Sequence, residues 1–207
     1  MHLNNEEKQA CALLAERYRL SPMIPMGYMA KRNLQPPSAL GLAGVIDIYS
    51  VNDCVNDNFA DYVDYWKHNG YWFFDSPEII CQLAQENSID LKGTKLFYYE
   101  VHELEFDGQT WRPFTPWTDL PMNVRKPGAK YLEGFDVITV CAENSPCPEH
   151  SPLSCNGIAK ELRTNFHCLF ETFEEAEGSI SRGGFANCEP GKLRIVAVFS
   201  LAWPVKP

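Results

Sequence analysis

Residues 95–114 constrain the fold more than any other stretch of this chain. Lys95 to Phe106 reads as one long strand, Asp107-Gly108 as a tight turn, and Gln109 to Phe114 as the returning strand. A hairpin is antiparallel by construction. The chain shows neither a repeating strand–helix–strand series nor a glycine-rich dinucleotide turn, which removes the doubly wound folds. The expected class is therefore α+β: a mainly antiparallel sheet of about five or six strands, packed on one side by helices. A length of 207 residues fits a single domain spanning 1–207.

The first hairpin strand puts Leu96, Tyr98, Glu100, His102, Leu104 and Phe106 on one face. Glu100 and His102 thus point the same way among apolar neighbours. A carboxylate and an imidazole so placed can form a general acid/base pair, or the polar anchors of a small-ligand pocket. A bulge near Glu100, or a face half open to solvent, would make them structural instead.

Around the hairpin the other elements follow in order. Residues 5–18 read as an amphipathic helix, and the proline-rich segment 20–40 as an extended connection laid over the body of the domain. Leu40 to Val51 looks like a turn leading into a buried strand. Phe59, Tyr62, Val63 and Trp66 mark the inner face of a helix over 57–68, with Asp57, Asp61 and Asp64 on the other side. Those aspartates form a solvated acidic face or a docking surface for a cationic partner. Tyr71 to Phe74 is a short apolar strand. Asp75-Ser76-Pro77-Glu78 opens a helix ending near Asn87, with Asp75 as cap, Glu78 closing a capping box, and Ile79, Ile80, Leu83 and Ala84 as the buried stripe.

From 111 to 134 the composition changes. Four prolines in this stretch, Pro113, Pro116, Pro121 and Pro127, exclude a regular helix, and a loop this long carries function or disorder. It holds Trp111, Phe114 and Trp117 beside Arg112, Arg125, Lys126 and Lys130, an aromatic and basic patch on an acidic chain. Such residues make binding hot spots; equally, the tryptophans can cap the core. Phe135 to Ala142 reads as a buried strand, Thr172 and Glu175 as the capping box of a helix that Gly183-Gly184 ends, and Leu193 to Leu201 as a continuous apolar strand at mid-sheet.

Reactive side chains concentrate in 149–170. There the phase of one short helix decides the chemistry of Cys155. With Ser151 as N-cap, Pro152 opens the helix and Cys155, Ile158, Ala159 and Leu162 form one buried stripe. With Ser154 as N-cap, Cys155 sits at the positive end of the helix dipole, where a thiolate is stabilised. In that case Cys155 is a nucleophile and His167 or His102 its base. The spacing of Cys147, Cys155, His167 and Cys168 matches no zinc pattern, so neither a metal nor a cofactor is expected.

Charge narrows the partners. Twenty-seven acidic residues oppose 18 basic ones, for a net charge of −9. That balance disfavours nucleic acid and anionic membranes, and favours a basic protein partner. The acid-rich start of the chain is unlike a secretion signal, and no apolar run approaches the ~20 residues that span a bilayer. A soluble cytoplasmic protein with reduced thiols is expected. The leading functional reading is a protein- or ligand-binding module using the acidic helix and the aromatic loop through Asp57, Asp61, Asp64, Trp111, Arg112 and Trp117. Toxin-blocking immunity proteins share this charge logic, and the basic loop would suit a small anionic ligand. A thiol enzyme built on Cys155 and a ligand pocket anchored by Glu100 and His102 are the alternatives.

Overall fold

The computed structural model describes residues 23–32, 73–88, 90–114, 123–140, 149–155, 157–188 and 190–202, with the backbone alone at 31–32, 140, 149–150 and 154–155. The expected helices at 5–18 and 57–68 and the expected strand within 40–51 lie outside these residues. In chain order the elements are β1 (Met23–Arg32), α1 (Pro77–Glu86), β2 (Thr94–Phe106), β3 (Trp111–Pro113), β4 (Tyr131–Val140), β5 (Glu149–His150), α2 (Pro152–Cys155), a 3₁₀ turn (Ile158–Lys160), α3 (Phe173–Ser181) and β6 (Leu193–Leu201).

The strands form one antiparallel sheet in the order β1-β2-β6-β4-β5, with the short β3 paired to β2. The fold is α+β, as the hairpin implied. β6 takes the central place because its sequence, LRIVAVFSL, offers apolar side chains to both faces and its residues 193–199 are all buried. One face of the sheet carries Tyr28, Leu96, Tyr98, Phe135, Ala197 and Phe199, and the helices pack there through Ile80, Leu83, Leu153, Ala176 and Ile180. The other face carries Met29, Phe97, Tyr99, Val101, Ile138, Val196 and Val198.

Local chemistry explains where the elements differ from expectation. Met23–Arg32 falls inside the proline-rich segment, yet it is a ten-residue strand. Pro25 is tolerated because β1 closes one end of the strand order and the register slips between Pro25 and Gly27. The hairpin turn is wider than two residues. Asp107 Oδ1 accepts the amides of Gln109 at 2.9 Å and Thr110 at 2.8 Å, and the first cross-strand pair is Phe106 with Trp111. Ser76 rather than Asp75 precedes α1, and Glu78 is taken by Arg125 instead of closing a capping box. The buried stripe of α1 is Ile80, Leu83 and Ala84, with Ile79 at its margin. In α3, Thr172 accepts the Glu175 amide at 3.2 Å, and the amides of Gly183 and Gly184 turn back to Ile180 and Ser179 as the chain leaves the helix.

β4 starts at Tyr131, four residues before the sequence pattern begins, and slips register between Leu132 and Gly134. Gly134 is needed there. Its φ is +149°, and a Cβ would come within 2.7 Å of the Phe170 carbonyl and 2.8 Å of Leu169 Cβ. Phe135 then exchanges two 2.9 Å backbone bonds with Phe170, so residues 165–170 lie along the outer edge of β4.

Candidate functional site

Three groups of side chains bear on function. The first surrounds Glu100, which is buried and lies opposite Ala197 on the helix-bearing face. Lys130 reaches it at 2.6 Å, with its Nζ 3.8 Å from the centre of the Phe199 ring and 5.0 Å from that of Tyr98. Tyr98 stacks in turn on Tyr28, 5.0 Å between ring centres. Burial pushes the Tyr98 phenol well above the usual range, and the adjacent Glu100 carboxylate adds to the shift. The Tyr28 phenol is pushed up to about 12, chiefly by burial, with Arg125 opposing and Glu78 adding. Both phenols are thus neutral at physiological pH, and Tyr28 donates its proton to a backbone carbonyl.

Residues 123–130 run over this group without helix or strand, as a strap. Arg125 fastens it: the Arg125 carbonyl accepts the Tyr28 hydroxyl, the Arg125 amide donates to Asp75 O at 3.2 Å, and the guanidinium pairs with Glu78. That exposed pair holds the Glu78 carboxyl below the usual carboxylate range. Basic residues of the expected binding loop therefore have acidic partners within the chain, since Arg112 also pairs with Asp107. Trp111 is half-buried, 5.5 Å from Phe106 and 6.3 Å edge-on to His102. Trp117 lies outside the described residues.

His102 shares the face of Glu100 but keeps other company. Its ring packs on Phe173 at 4.7 Å, and Nδ1 accepts the Leu104 amide at 3.2 Å, which leaves the proton of the neutral ring on Nε2. Burial lowers its pKa, partly offset by Glu103 and Glu177. Glu100 bonds to Lys130 and His102 to a backbone amide, so the two anchors expected to work as a pair are engaged separately. The bulge expected near Glu100 comes just after it: four steps along β2 from Val101 to Glu105 match two along β6, from Val196 to Arg194. Beyond the bulge, on the opposite face, Glu105 is fully buried and accepts Arg194 Nε at 3.1 Å together with Lys192. The Arg194 guanidinium lies 3.9 Å above the Phe114 ring.

The third group is the 149–170 stretch. α2 begins at Pro152, so Ser151 leads it and Cys155 is its last residue. That end of a helix carries the negative pole of its dipole, which does not favour a thiolate. The side chain of Cys155 lies outside the described residues. The Ser151 hydroxyl is buried and donates to Asp136 at 2.8 Å, tying the start of α2 to the sheet. Gly157, at φ +69°, interrupts the expected stripe between Cys155 and Ile158, although Ile158 and Ala159 are still buried.

After that turn, Asn165 organises a tight loop that the sequence reading did not single out. Its Oδ1 accepts the amides of His167 at 2.9 Å and Leu169 at 3.1 Å, and its Nδ2 donates to the Glu133 carbonyl at 2.8 Å. Cys168 is buried with φ +60°, a left-handed conformation costing a β-carbon residue about 1–2 kcal/mol. His167 Nε2 stands 3.4 Å from Glu133, whose other oxygen accepts Ser200. At the tip Phe166 is 63% exposed, and on β4 beside Glu133 Tyr131 is 71% and Leu132 45% exposed. An asparagine followed by an aromatic residue is a weak signal in sequence; only the bond from Asn165 to the Glu133 carbonyl ties this turn to β4.

Asp57, Asp61 and Asp64 lie outside the described residues. Among the described residues no three His, Cys, Asp or Glu side chains converge as a metal site, and no helix is long and apolar enough to cross a membrane. None of the protein families, curated proteins or solved structures compared with this chain matches it.

Proposed function

We propose that this chain is a protein-binding module whose contact surface is built on Tyr131, Leu132 and Phe166. One observation carries the reading: Tyr131 and Leu132 are exposed on consecutive positions of β4, and Phe166 is exposed on the turn that Asn165 bonds to the carbonyl of Glu133, the next residue of that strand. Burying a side chain of this size releases roughly 1.5–3 kcal/mol. Rigid aromatic anchors lose little entropy on binding, which is why they dominate interface energetics. Trp111 and Arg112 fit this role less well, since the first packs within the fold and the second pairs with Asp107.

The partner is a basic protein, by complementarity to a net charge of −9. The charges of Asp57, Asp61 and Asp64 steer the encounter. The test begins with a partner recovered from native extract and continues with its dissociation constant for three forms: wild type, F166S/L132S, and D57N/D61N/D64N. The apolar double variant should weaken binding by about thirtyfold or more, equivalent to roughly 2 kcal/mol. The aspartate variant should lower the association rate and flatten its salt dependence. Unchanged affinity in the double variant would end the proposal. A dimer of this chain that F166S abolishes would replace the basic partner with a second copy.

A further inference from the structure

Lys130 is held as a ligand would be. Its ammonium meets a carboxylate at 2.6 Å and two aromatic faces, Phe199 at 3.8 Å and Tyr98 at 5.0 Å. Glu100, Tyr98 and Phe199 are all buried; Tyr98 and Phe199 are cross-strand partners in the β2–β6 ladder, and Glu100 lies two residues along β2 on the same face. A carboxylate backed by aromatic rings is the chemistry that selects an alkylammonium, because the rings offer their negative faces and the carboxylate a full charge. The occupant, by contrast, comes from the irregular strap at 123–130, most of which is exposed.

We propose that Glu100, Tyr98 and Phe199 form a binding site for a primary alkylammonium, and that Lys130 is its built-in occupant, displaced when the strap lifts. The ammonium belongs to a free amine or to a lysine side chain of a protein. The site rests on its own geometry and not on the exposed apolar surface, although the two adjoin: Leu132 is the cross-strand partner of Phe199. A tethered occupant competes with an effective concentration in the millimolar range, so an external amine must exceed that to enter the wild type.

The test titrates n-butylammonium, with n-butanol as the neutral control, into the wild type, K130M, and K130M/E100Q. Thermal unfolding and the ring-proton resonances of Tyr98 and Phe199 are the readouts. K130M should regain thermal stability saturably with butylammonium, at a midpoint at least about tenfold below that for butanol, and K130M/E100Q should lose that preference. The wild type should show the same ring shifts at roughly tenfold higher amine than K130M. Acetyl-Gly-Lys-Gly-amide distinguishes the sources: shifts with both probes assign a protein lysine, and shifts with butylammonium alone a free amine. Equal responses to amine and alcohol in K130M, or no ring shift in the wild type, would overturn the proposal. Should K130M fail to fold, the wild-type titration decides it alone. Loss of partner binding in F166S/L132S leaves this result untouched, so the two readings fail separately.

Discussion

Strand β2 carries two buried carboxylates, and the contrast between them is instructive. Glu105 pairs with Arg194, its direct neighbour on β6, with Lys192 two residues before Arg194 and the Phe114 ring as a floor under the guanidinium. Every piece except Phe114 and Lys192 belongs to the sheet ladder itself. Glu100 is equally buried, but its cation arrives from a strap with no helix or strand of its own. The first pair cannot part without opening the sheet. The second can part by lifting residues 123–130. The same ion-pair chemistry is thus a clamp on one face and an exchangeable contact on the other, and the difference lies in what carries the cation.

Four measurements break or sharpen that contrast. The largest effect is expected from Arg194→Met, which strands the Glu105 carboxylate in a closed site and should cost about 3–5 kcal/mol in urea unfolding. Lys130→Met should cost less, about 1–2 kcal/mol, because Lys130 is 27% exposed and water can reach Glu100 once the strap yields. If the two costs were reversed, the division into clamp and exchangeable contact would fail.

Tyr28→Phe removes a strap anchor and leaves the Arg194 side intact, so a loss of about 0.5–1.5 kcal/mol is expected, with a lower amine midpoint than the wild type shows. It also has a pH signature. The folded phenol is raised to about 12 from 10.0, so Tyr28 contributes stability that is whole below pH 10 and lost as pH climbs through 12. Tyr28→Phe should flatten that alkaline decline, and a decline of unchanged slope would show that the phenol is not held as described.

The smallest effect concerns His102, which stands between the two carboxylates on β2. Its folded pKa lies below the ordinary 6.5, so its contribution is whole above that value and disappears as pH falls through the lowered one. A shallower acid decline in His102→Gln, followed by denaturant midpoints between pH 7 and pH 4, is expected; an identical slope would place the acid sensitivity on the carboxylates instead.

Much of the scaffold was legible beforehand because it rests on local rules. The hairpin, the central place of β6, the stripe of α1 and the Thr172 cap each follow from periodicity or from one turn of hydrogen bonds. β1 was obscured by Pro25, since proline argues against a strand unless the strand lies at an edge, and edges are a property of the whole sheet. Of the candidate site residues, the common face of Glu100 and His102 was readable from a period of two, but not their separate partners. Lys130 lies thirty residues from Glu100, and Asn165 lies thirty-two from Glu133. No short-range pattern reports such contacts.

By itself, then, the sequence determined an antiparallel α+β scaffold, an acidic net charge and the strands on which the polar groups sit, because those depend on composition and on neighbours a few residues apart. Tertiary structure alone decided that Ser151 leads α2, that Lys130 fills a cage of Glu100, Tyr98 and Phe199, and that the turn carrying Phe166 is bonded to β4 at Glu133. These are contacts between distant segments, made only when the register of the sheet and the close approach at Gly134 have set where each segment crosses the next.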